Sequence, residues 1–514
     1  MMEWHSIDNY YIGDGFNSRE ESTDDSWHWA LQNRAFIGMD FKSESKRHVW
    51  LISFELEPPP NGKERSIEIY LNHTWIDNIN APSKHQMRFV GMPNTFYELE
   101  FISKGKLTQV PGDTRSFAFM LKNFKLERVD ENLEVSNHRR LVQKKHIEIL
   151  EKYINLCKEN NLTYYAFYGT LLGAVRHQGF IPWDDDIDVV MPRKDFNKFV
   201  QLMDEAKEDD YYFNSMESNH NCFYGGYGKF GDKRTTFITK RDANQKSEHG
   251  ITIDIFPLDG FEVKSKKRHN QLKRLCFLQE LAFAKIYHRR KNLEQIFSSI
   301  KWLQMKFWCM LYSKNKIIKK LTQVFEENQY SSHVTILARY LKDDNRKFYK
   351  KDFFSNPVEL QFENLKINVP GNFDACLRVD YGKAYLLYPD EGILRKSHCG
   401  IACVGIPYRE FEEHVLYHPI QIKNVIIIGD LEIIKKYLEK DKSRRDMGFV
   451  LDLKDKSSGA IINGHMIIGI NEVQQYYNKN YTILICTEAF EPIVEAMQKN
   501  HISNYYIYID DCMW

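Results

Sequence analysis

Four aspartates within five residues are the side chains of this chain best suited to chemistry. They lie in the sequence WDDDIDVVM and are Asp184, Asp185, Asp186 and Asp188. The apolar residues that interleave with them and follow them predict a buried strand, in which alternate side chains share a face. We therefore expect Asp184, Asp186 and Asp188 on one face and Asp185 on the other. Carboxylates this close repel one another, and a divalent cation removes that penalty, so the cluster predicts a metal site that handles phosphates.

Two flanking segments predict the elements that position these acids. Upstream, a short strand over 164–168 leads into Gly169-Thr170 and a helix over 171–177. Thr170 would cap that helix, whose N-terminus attracts phosphate, and Gly169 lets a ligand approach the backbone closely. Downstream, the sequence GITIDIFPLDG predicts a neighbouring strand, from which Asp254 supplies a third metal carboxylate. Each signal alone also fits a solvated turn, a helix cap or a strand edge, but their combination is typical of a nucleotidyltransferase-type site.

Three cations near these acids are candidates for binding phosphate. Arg176 follows the Gly169-Thr170 turn and is expected to steady phosphate oxygens together with it. Lys229 and Arg234 lie before Asp254 in the chain and are expected to bind the donor pyrophosphate or the departing nucleotide. The alternatives are a helix-end cation for Arg176 and a solvated loop for the other two.

The sequence GTLLGAVRHQGFIPWDDDIDVVMPRKDF closely resembles the signature of the LicD-type phosphotransferases, the family that includes the fukutin-related proteins. The resemblance continues in YGKF, KRTT and IDIFPLDG and, more loosely, in VPGNFDACLRVDYGKAYLLYP, so that it covers roughly residues 135–395. It implies a nucleotidyltransferase-like fold. It also implies transfer of a phospho-alcohol, phosphocholine or a polyol phosphate, from a CDP-linked donor to a glycan hydroxyl with release of CMP. Capsule, teichoic acid and lipopolysaccharide synthesis are the processes that such a transfer serves.

The resemblance also implies roles for single residues. Asp186 and Asp188 match the metal pair for Mg²⁺ or Mn²⁺, and Asp254 matches the third acid. Asp184 matches an additional acid of the family, and either Asp184 or Asp254 would accept the proton of the attacking hydroxyl. Asp185 occupies a variable position and is given no role.

The length of the chain and the pattern of strands and helices along it predict three domains. The 514 residues are 43% hydrophobic and 14% aromatic, enough for several cores. Residues 1–128 predict an all-β sandwich, jelly-roll-like, that either positions the enzyme or holds sugar through Trp27, Trp29 and Trp75. Residues 129–418 predict the α+β nucleotidyltransferase-like catalytic domain. Residues 419–514 predict a small α/β Rossmann-like domain with a structural or assembly role, because its first turn lacks G-x-G-x-x-G.

A basic insert interrupts the predicted catalytic domain. Residues 264–320 carry 16 Lys or Arg against 2 Glu, with aromatic residues interleaved. This composition predicts amphipathic helices that contact an anionic membrane, or an ordinary helical subdomain whose aromatic side chains pack inward. Nucleic acid is not expected as a partner, since no recognised nucleic-acid motif accompanies the charge.

Composition also predicts the compartment. The net charge is +1, and the N-terminus MMEWHSIDNYY has neither the basic start nor the apolar core of a secretory signal. No apolar run reaches the ~18–20 residues that span a bilayer. We expect a cytoplasmic enzyme, free or peripheral at the inner membrane face.

Two other functions are compatible with the same sequence. The scaffold can transfer a whole nucleotide from an NTP, which releases pyrophosphate instead of CMP. A glycan-binding or assembly protein with an inactive site belongs to a different class, and the intact D-x-D of Asp186 and Asp188 argues against it.

Overall fold

The computed structural model describes most of the chain, in ranges separated by gaps. The described residues are 3–5, 10–22, 26–60, 62–129, 135, 137–206, 210–218, 222–239, 247–263, 265–286, 299–339, 347–389, 400–410, 412–416, 425–429, 434, 447–452, 461–462, 465–467, 482–487, 490–499 and 502–508.

The N-terminal region contains two large antiparallel sheets around one apolar core. Its strands alternate buried and partly buried side chains, as a strand with one face inward requires. The sheet orders are β1-β2-β5-β10-β7-β8 and β3-β4-β13-β6-β9, and Phe54 of one sheet meets Phe101 of the other at 5.4 Å between ring centroids. This confirms that the region is mostly β. The strands are β1 Glu3–His5, β2 Tyr10–Ile12, β3 Glu20–Glu21, β4 Ser26–Ala30, β5 Arg34–Asp40, β6 His48–Glu57, β7 Arg65–Leu71, β8 Thr74–Ala81, β9 Ser83–Gly91, β10 Phe96–Ser103, β11 Thr108–Gln109, β12 Ser116–Phe117 and β13 Phe119–Val129.

The central region is a mixed sheet with helices, which confirms the mixed α and β content predicted for it. The path β14-β15-β19-β17-β16 forms the main sheet, and only β15 and β19 run parallel within it. Tyr153 and Phe199, from helices α1 and α3, pack at 5.4 Å between ring centroids, and Tyr153 meets Phe230 of the sheet. The elements are α1 Asn137–Glu159, β14 Tyr165–Ala166, α2 Tyr168–His177, β15 Asp188–Pro192, α3 Arg193–Glu205, β16 Tyr211–Asn214, β17 Gly228–Asp232, β18 Thr236–Thr239, β19 Thr252–Gly260, β20 His333–Thr335, β21 Tyr349–Lys350, β22 Val358–Phe362, β23 Leu365–Val369, α7 Phe373–Tyr381 and β24 Gly400–Cys403.

The basic insert is helical where the structure describes it. Its helices are α4 Ser265–Ile286, α5 Ser299–Leu311 and α6 Lys314–Phe325. They bury their own apolar cluster, which includes Leu281, Leu321 and Phe325. The side chains of Tyr287, Phe297 and Trp302 lie outside the described residues. No helix in the described part of the chain combines the length and the apolar character needed to cross a bilayer.

The C-terminal region contains a sheet ordered β25-β31-β30-β26-β27-β29-β28, in which only the pairing of β28 with β29 is antiparallel. The helix predicted over 431–439 lies outside the described residues, apart from Ile434. The predicted domain limits at 128 and 418 stay predictions. The elements are β25 Val415–Leu416, β26 Val425–Gly429, β27 Met447–Asp452, β28 Ile461–Ile462, β29 His465–Ile467, β30 Thr482–Cys486, α8 Glu491–Lys499 and β31 Tyr505–Tyr508.

Candidate functional site

The acid cluster lies in a loop that leads into β15. The strand begins only at Asp188, so the prediction that Asp184 and Asp186 belong to it is wrong. Buried side chains of α1 hold the loop through its carbonyl groups. Gln143 Nε2 donates to the Asp184 carbonyl, and His146 Nε2 lies at hydrogen-bond distance from the Asp185 carbonyl, each at 2.9 Å. Because these carbonyls contact side chains of α1 and not a neighbouring strand, the loop is not extended, and its side chains do not alternate between two faces.

The loop brings three carboxylates together. Asp184, Asp185 and Asp186 each offer an oxygen, and these oxygens lie within 4.8 Å of one another. The alternation predicted from the sequence placed Asp185 on the opposite face, and the loop geometry overturns it. Burial, and then the charge of Asp186, raise the pKa of Asp184 well above its ordinary value.

Two further acids meet across neighbouring strands. Asp188 of β15 and Asp254 of β19 are register partners in the parallel pair, and the Asp254 amide donates to the Ile187 carbonyl at 2.9 Å. Burial, then Asp186 and then Asp254, raise the pKa of Asp188 well above its ordinary value. The predicted convergence of acids from two adjacent strands therefore has a structural counterpart, and Asp186 links the loop to the strand pair.

Helix α2 closes one side of the acids. It begins at Tyr168, earlier than predicted, and Tyr168 has a φ of 45°, which is rare for a bulky residue. The predicted cap at Thr170 is wrong. Thr170 lies in the first turn, where its hydroxyl accepts the Asp188 amide at 2.9 Å. A Cβ on Gly169 would stand 2.4 Å from Asp184 Oδ2, so only glycine leaves room for that carboxylate.

Among the residues that the structure describes, Lys229 and Arg339 lie near the acids, and the sequence predicted only Lys229. Lys229 of β17 stands opposite Asp254 in the antiparallel register, with 3.4 Å between its ammonium and Asp254 Oδ1. Arg339 stacks over the Tyr168 ring at 5.4 Å, and its positive charge, like that of Lys229, acts to lower the pKa of Asp188. Both cations thus lie where they offset negative charge at the strand pair.

An aromatic wall stands beside these charges. Tyr168 contacts Phe256, which lies 4.5 Å from Tyr227 between ring centroids, and Tyr227 contacts Tyr224. The Lys229 ammonium lies 5.2 Å above the Tyr224 ring. Tyr224 and Phe256 are buried, whereas Tyr168 and Tyr227 are partly exposed, so the acids and Lys229 lie beside a packed cluster of rings.

The other two predicted cations, Arg176 and Arg234, contact acceptors of the protein itself. Arg176 is buried and donates to the carbonyls of Tyr385 and Leu387 at 3.2 and 3.0 Å. Arg234 pairs with Asp232 at 2.7 Å and with Asp210 at 2.9 Å. Both guanidinium groups therefore already face protein acceptors, and the phosphate-binding roles predicted for them stay predictions.

A clamp from three regions fixes the chain just before the acid loop. Arg47, from the N-terminal region, donates to the carbonyls of His177 and Phe180 at 3.2 and 3.4 Å. Glu363, from the turn between β22 and β23, accepts the Phe180 amide at 3.1 Å and pairs with Arg140 of α1 at 2.7 Å. The N-terminal region therefore takes part in positioning the site.

Sequence reasoning missed Arg339, Asp380 and the clamp. Arg339 lies in no recognisable motif. Its position near the acids depends on the pairing of β20 with β19, which the sequence does not indicate. Asp380 accepts from the Tyr349 hydroxyl at 2.7 Å, and burial raises its pKa to about 6. It lies in the loosely matching block VPGNFDACLRVDYGKAYLLYP, the signal that could have found it.

The donor set suits a hard divalent cation. The acids offer oxygen atoms only, which are the ligands that Mg²⁺ and Mn²⁺ prefer, and their mutual repulsion is relieved by positive charge. The residues present therefore fit such an ion.

Known proteins of one family resemble this region. A profile of the LicD/FKTN/FKRP nucleotidyltransferase domain matches residues 161–273. The lipopolysaccharide cholinephosphotransferase LicD of Haemophilus influenzae is 27% identical over 258 residues, which make up 48% of this chain and 90% of that protein. An uncharacterized protein of Rickettsia typhi is 41% identical over 64 residues, or 12% of this chain and 21% of its own length.

Solved structures share a weak likeness with part of this chain. A family 35 carbohydrate-binding module from Paenibacillus barcinonensis aligns with 24% of this chain and 91% of its own, at 9% identity and a TM-score of 0.14. A TM-score this low carries no argument. The acid loop, α2 and β19 all fall within the stretch that the LicD profile matches. The resemblance seen in the sequence is thus confirmed, since the profile match and the Haemophilus influenzae relative both support similarity of the central part of this chain to the LicD-type family.

Proposed function

We propose that this protein transfers phosphocholine or a polyol phosphate from a CDP-linked donor to a hydroxyl of a surface glycan, with release of CMP. The single observation that carries the proposal is the pairing of Asp188 with Asp254 beside the acid loop. The name of the Haemophilus influenzae relative supports the cargo and a lipopolysaccharide acceptor. We further propose a nucleotidyltransferase-like fold for the central region, a Rossmann-like fold for the C-terminal sheet, and a cytoplasmic site of action.

The acids are proposed to hold Mg²⁺ or Mn²⁺ through Asp186, Asp188 and Asp254. When bound, such an ion supplies positive charge to the diphosphate of the donor. Asp185 joins the same oxygen cluster, and its carboxylate adds to the negative potential that attracts the ion. The Thr170 hydroxyl orients this set by fixing the Asp188 amide.

The remaining charges are proposed to bind the donor and move one proton. Lys229 and Arg339 attract the phosphate oxygens, because both already face the acids at the strand pair. Asp184 accepts the proton of the acceptor hydroxyl, since burial raises its proton affinity. The hydroxyl oxygen bonds to the phosphorus that carries the alcohol, the bond from that phosphorus to the bridging oxygen breaks, and CMP leaves with the electron pair.

Product analysis tests the proposal. The full-length protein would be incubated with Mg²⁺, a panel of CDP-alcohols and purified lipopolysaccharide, and CMP would be measured against an EDTA-treated sample. We expect CMP release that requires both glycan and metal, and its loss in Asp188→Asn with an unchanged circular dichroism spectrum. CMP release that persists undiminished in Asp188→Asn would remove that residue from the mechanism.

The same assay separates a second candidate function. The matching profile is named for a nucleotidyltransferase domain, and such enzymes transfer a nucleotide from an NTP. Pyrophosphate formed from an NTP panel, with no CMP from any CDP-alcohol, would establish that reaction instead.

A further inference from the structure

The outward face of α5 is apolar, and the other described residues leave most of it exposed. Four large apolar side chains near its C-terminal end are exposed by 37% to 84%, namely Phe307, Trp308, Met310 and Leu311. The opposite face carries Cys309 and Met305, which pack on the cluster beneath the helix. Apolar side chains grouped on one exposed face mark a contact surface, whereas single exposed ones are ordinary.

Folding of the helical insert does not require this exposed face. The cluster below is formed by inner residues of all three helices, including Leu275, Leu281 and Leu321. Trp308 leans on Phe277 at 5.6 Å and on Tyr312 at 5.9 Å between ring centroids, yet it remains 37% exposed. The prediction of a subdomain with inward aromatic side chains therefore holds for Phe283 and Tyr312, which pack against the cluster, and fails for Phe307 and Trp308 of α5, which are exposed.

Lysines border the apolar face at the start of α6. Lys314 and Lys316 occupy the first turn of that helix, which has no acidic residue there. Cations oppose the helix dipole at this end, so helix stability does not account for them. The Lys316 ammonium lies 4.7 Å above the Tyr312 ring, and Lys319 is exposed one turn further on. Aromatic and apolar groups are thus joined to a rim of positive charge.

We propose that α5 and the first turns of α6 dock on an anionic membrane surface. The apolar residues of α5 enter the boundary between headgroups and acyl chains, while Lys316 and Lys319 meet the lipid phosphates. The excess of 16 Lys or Arg over 2 Glu across residues 264–320 complements a negative surface. It opposes a two-fold contact between copies of this face, because such a contact would bring the same lysines together. This inference does not depend on the proposed function.

Vesicle flotation with the full chain tests the surface. Liposomes would contain phosphatidylglycerol and phosphatidylcholine in equal parts, or phosphatidylcholine alone. We expect co-flotation with the anionic vesicles and at least about tenfold weaker partitioning to the neutral ones. The double variant Phe307→Ser/Met310→Ser should lose on the order of tenfold in partitioning, and Lys316→Gln/Lys319→Gln a similar factor. Val358→Ser, which changes a residue that is 39% exposed on β22, should partition like the wild type.

Met310 is 84% exposed, so the apolar variant is designed to retain the fold, and a thermal melt checks this. If the melting temperature falls, Met310→Ser alone replaces the double variant. Three results would overturn the proposal. They are failure of the wild type to float with anionic vesicles, equal flotation of the apolar variant, and a wild-type dimer that dissociates in the apolar variant by light scattering. The last result would assign the surface to a second copy of this chain.

Discussion

Replacing Asp186 by Asn should raise the stability of the metal-free protein and abolish the proposed transfer activity. Asp186 is the charge that contributes most to raising the pKa of both Asp184 and Asp188, after burial. Asn has nearly the same shape but no charge. The substitution therefore removes the repulsion at the centre of the cluster and leaves the loop contacts with α1 intact.

The magnitude follows from the spacing of the carboxylates. The carboxylate oxygens of Asp184, Asp185 and Asp186 lie within 4.8 Å of one another, where two unit charges repel by about 3 kcal/mol at an effective dielectric constant of about 20. The raised proton affinity of Asp184 and Asp188 limits this cost, so we expect a gain of roughly 1–3 kcal/mol in the free energy of unfolding at pH 8. For a domain of this size, that corresponds to an increase of several degrees in melting temperature.

The sign of the pH dependence is fixed by the direction of the pKa shifts. The folded acids bind protons more tightly than the unfolded ones, whose pKa is near 3.8. Wild-type stability is therefore lost as pH rises from that value through the raised folded pKa values. The advantage of Asp186→Asn should be largest at pH 8 and shrink toward pH 5.

Calorimetry in EDTA across this pH range measures the effect, with Asp352→Asn, at an exposed position, as the matched control. Addition of Mg²⁺ should raise the melting temperature of the wild type and leave Asp186→Asn unchanged. A metal-free Asp186→Asn that melts at or below the wild type at pH 8 would refute the argument from repulsion. A wild type that does not respond to Mg²⁺ or Mn²⁺ would refute the metal site separately.

Two further substitutions test single contacts of the site. Gly169→Ala should retain or slightly raise the melting temperature, because alanine favours the helix. It should lose turnover, because its Cβ would displace Asp184 Oδ2. Gly405→Ala, whose Cβ meets open space, is the control, and equal turnover in the two variants would contradict this prediction. Arg339→Gln should raise the KM for the donor, and Arg339→Lys should raise it less, because lysine keeps the positive charge although it loses the stacking on Tyr168. An unchanged KM in Arg339→Gln would exclude a contact between Arg339 and the donor.

The parts of the site that were predicted correctly depend on local sequence signals. Alternating isoleucines around Asp254 predict a strand, and the structure contains β19 there. That Asp254 lies beside Asp188 follows from two strands that are adjacent in the sheet. The alternation predicted for Asp184 and Asp186 failed, because carbonyl contacts with Gln143 and His146 hold the loop out of the strand.

The parts that were missed depend on long-range contacts. Arg47 lies 130 residues before His177, whose carbonyl accepts its hydrogen bond, and no local sequence pattern predicts that contact. The same holds for Glu363, which lies 183 residues after the Phe180 amide. The role predicted for Arg176 in binding phosphate stays a prediction, and the carbonyls of Tyr385 and Leu387 that accept from its guanidinium lie more than 200 residues away in the chain.

The helical insert also supports the site wall through one buried side chain, which makes a final prediction possible. Gln279 of α4 donates to the carbonyls of Gly225, Leu337 and Ala338 at 2.8, 3.3 and 3.3 Å. These carbonyls adjoin Tyr224 and Arg339, so a single amide joins the two chain segments that carry the aromatic wall and the missed cation.

Gln279→Met keeps the volume but removes the amide that donates to three buried carbonyls, and loss of such buried hydrogen bonds costs about 1–3 kcal/mol of stability. Gln271→Met is the matched control, because Gln271 is equally buried on the same helix and donates to the Val324 carbonyl instead. Both variants should melt at lower temperature, but only Gln279→Met should raise the KM for the donor, while vesicle binding stays unchanged in both. An equal loss of donor affinity in the two variants would mean that the insert affects the site through general stability, and that Gln279 does not position its wall.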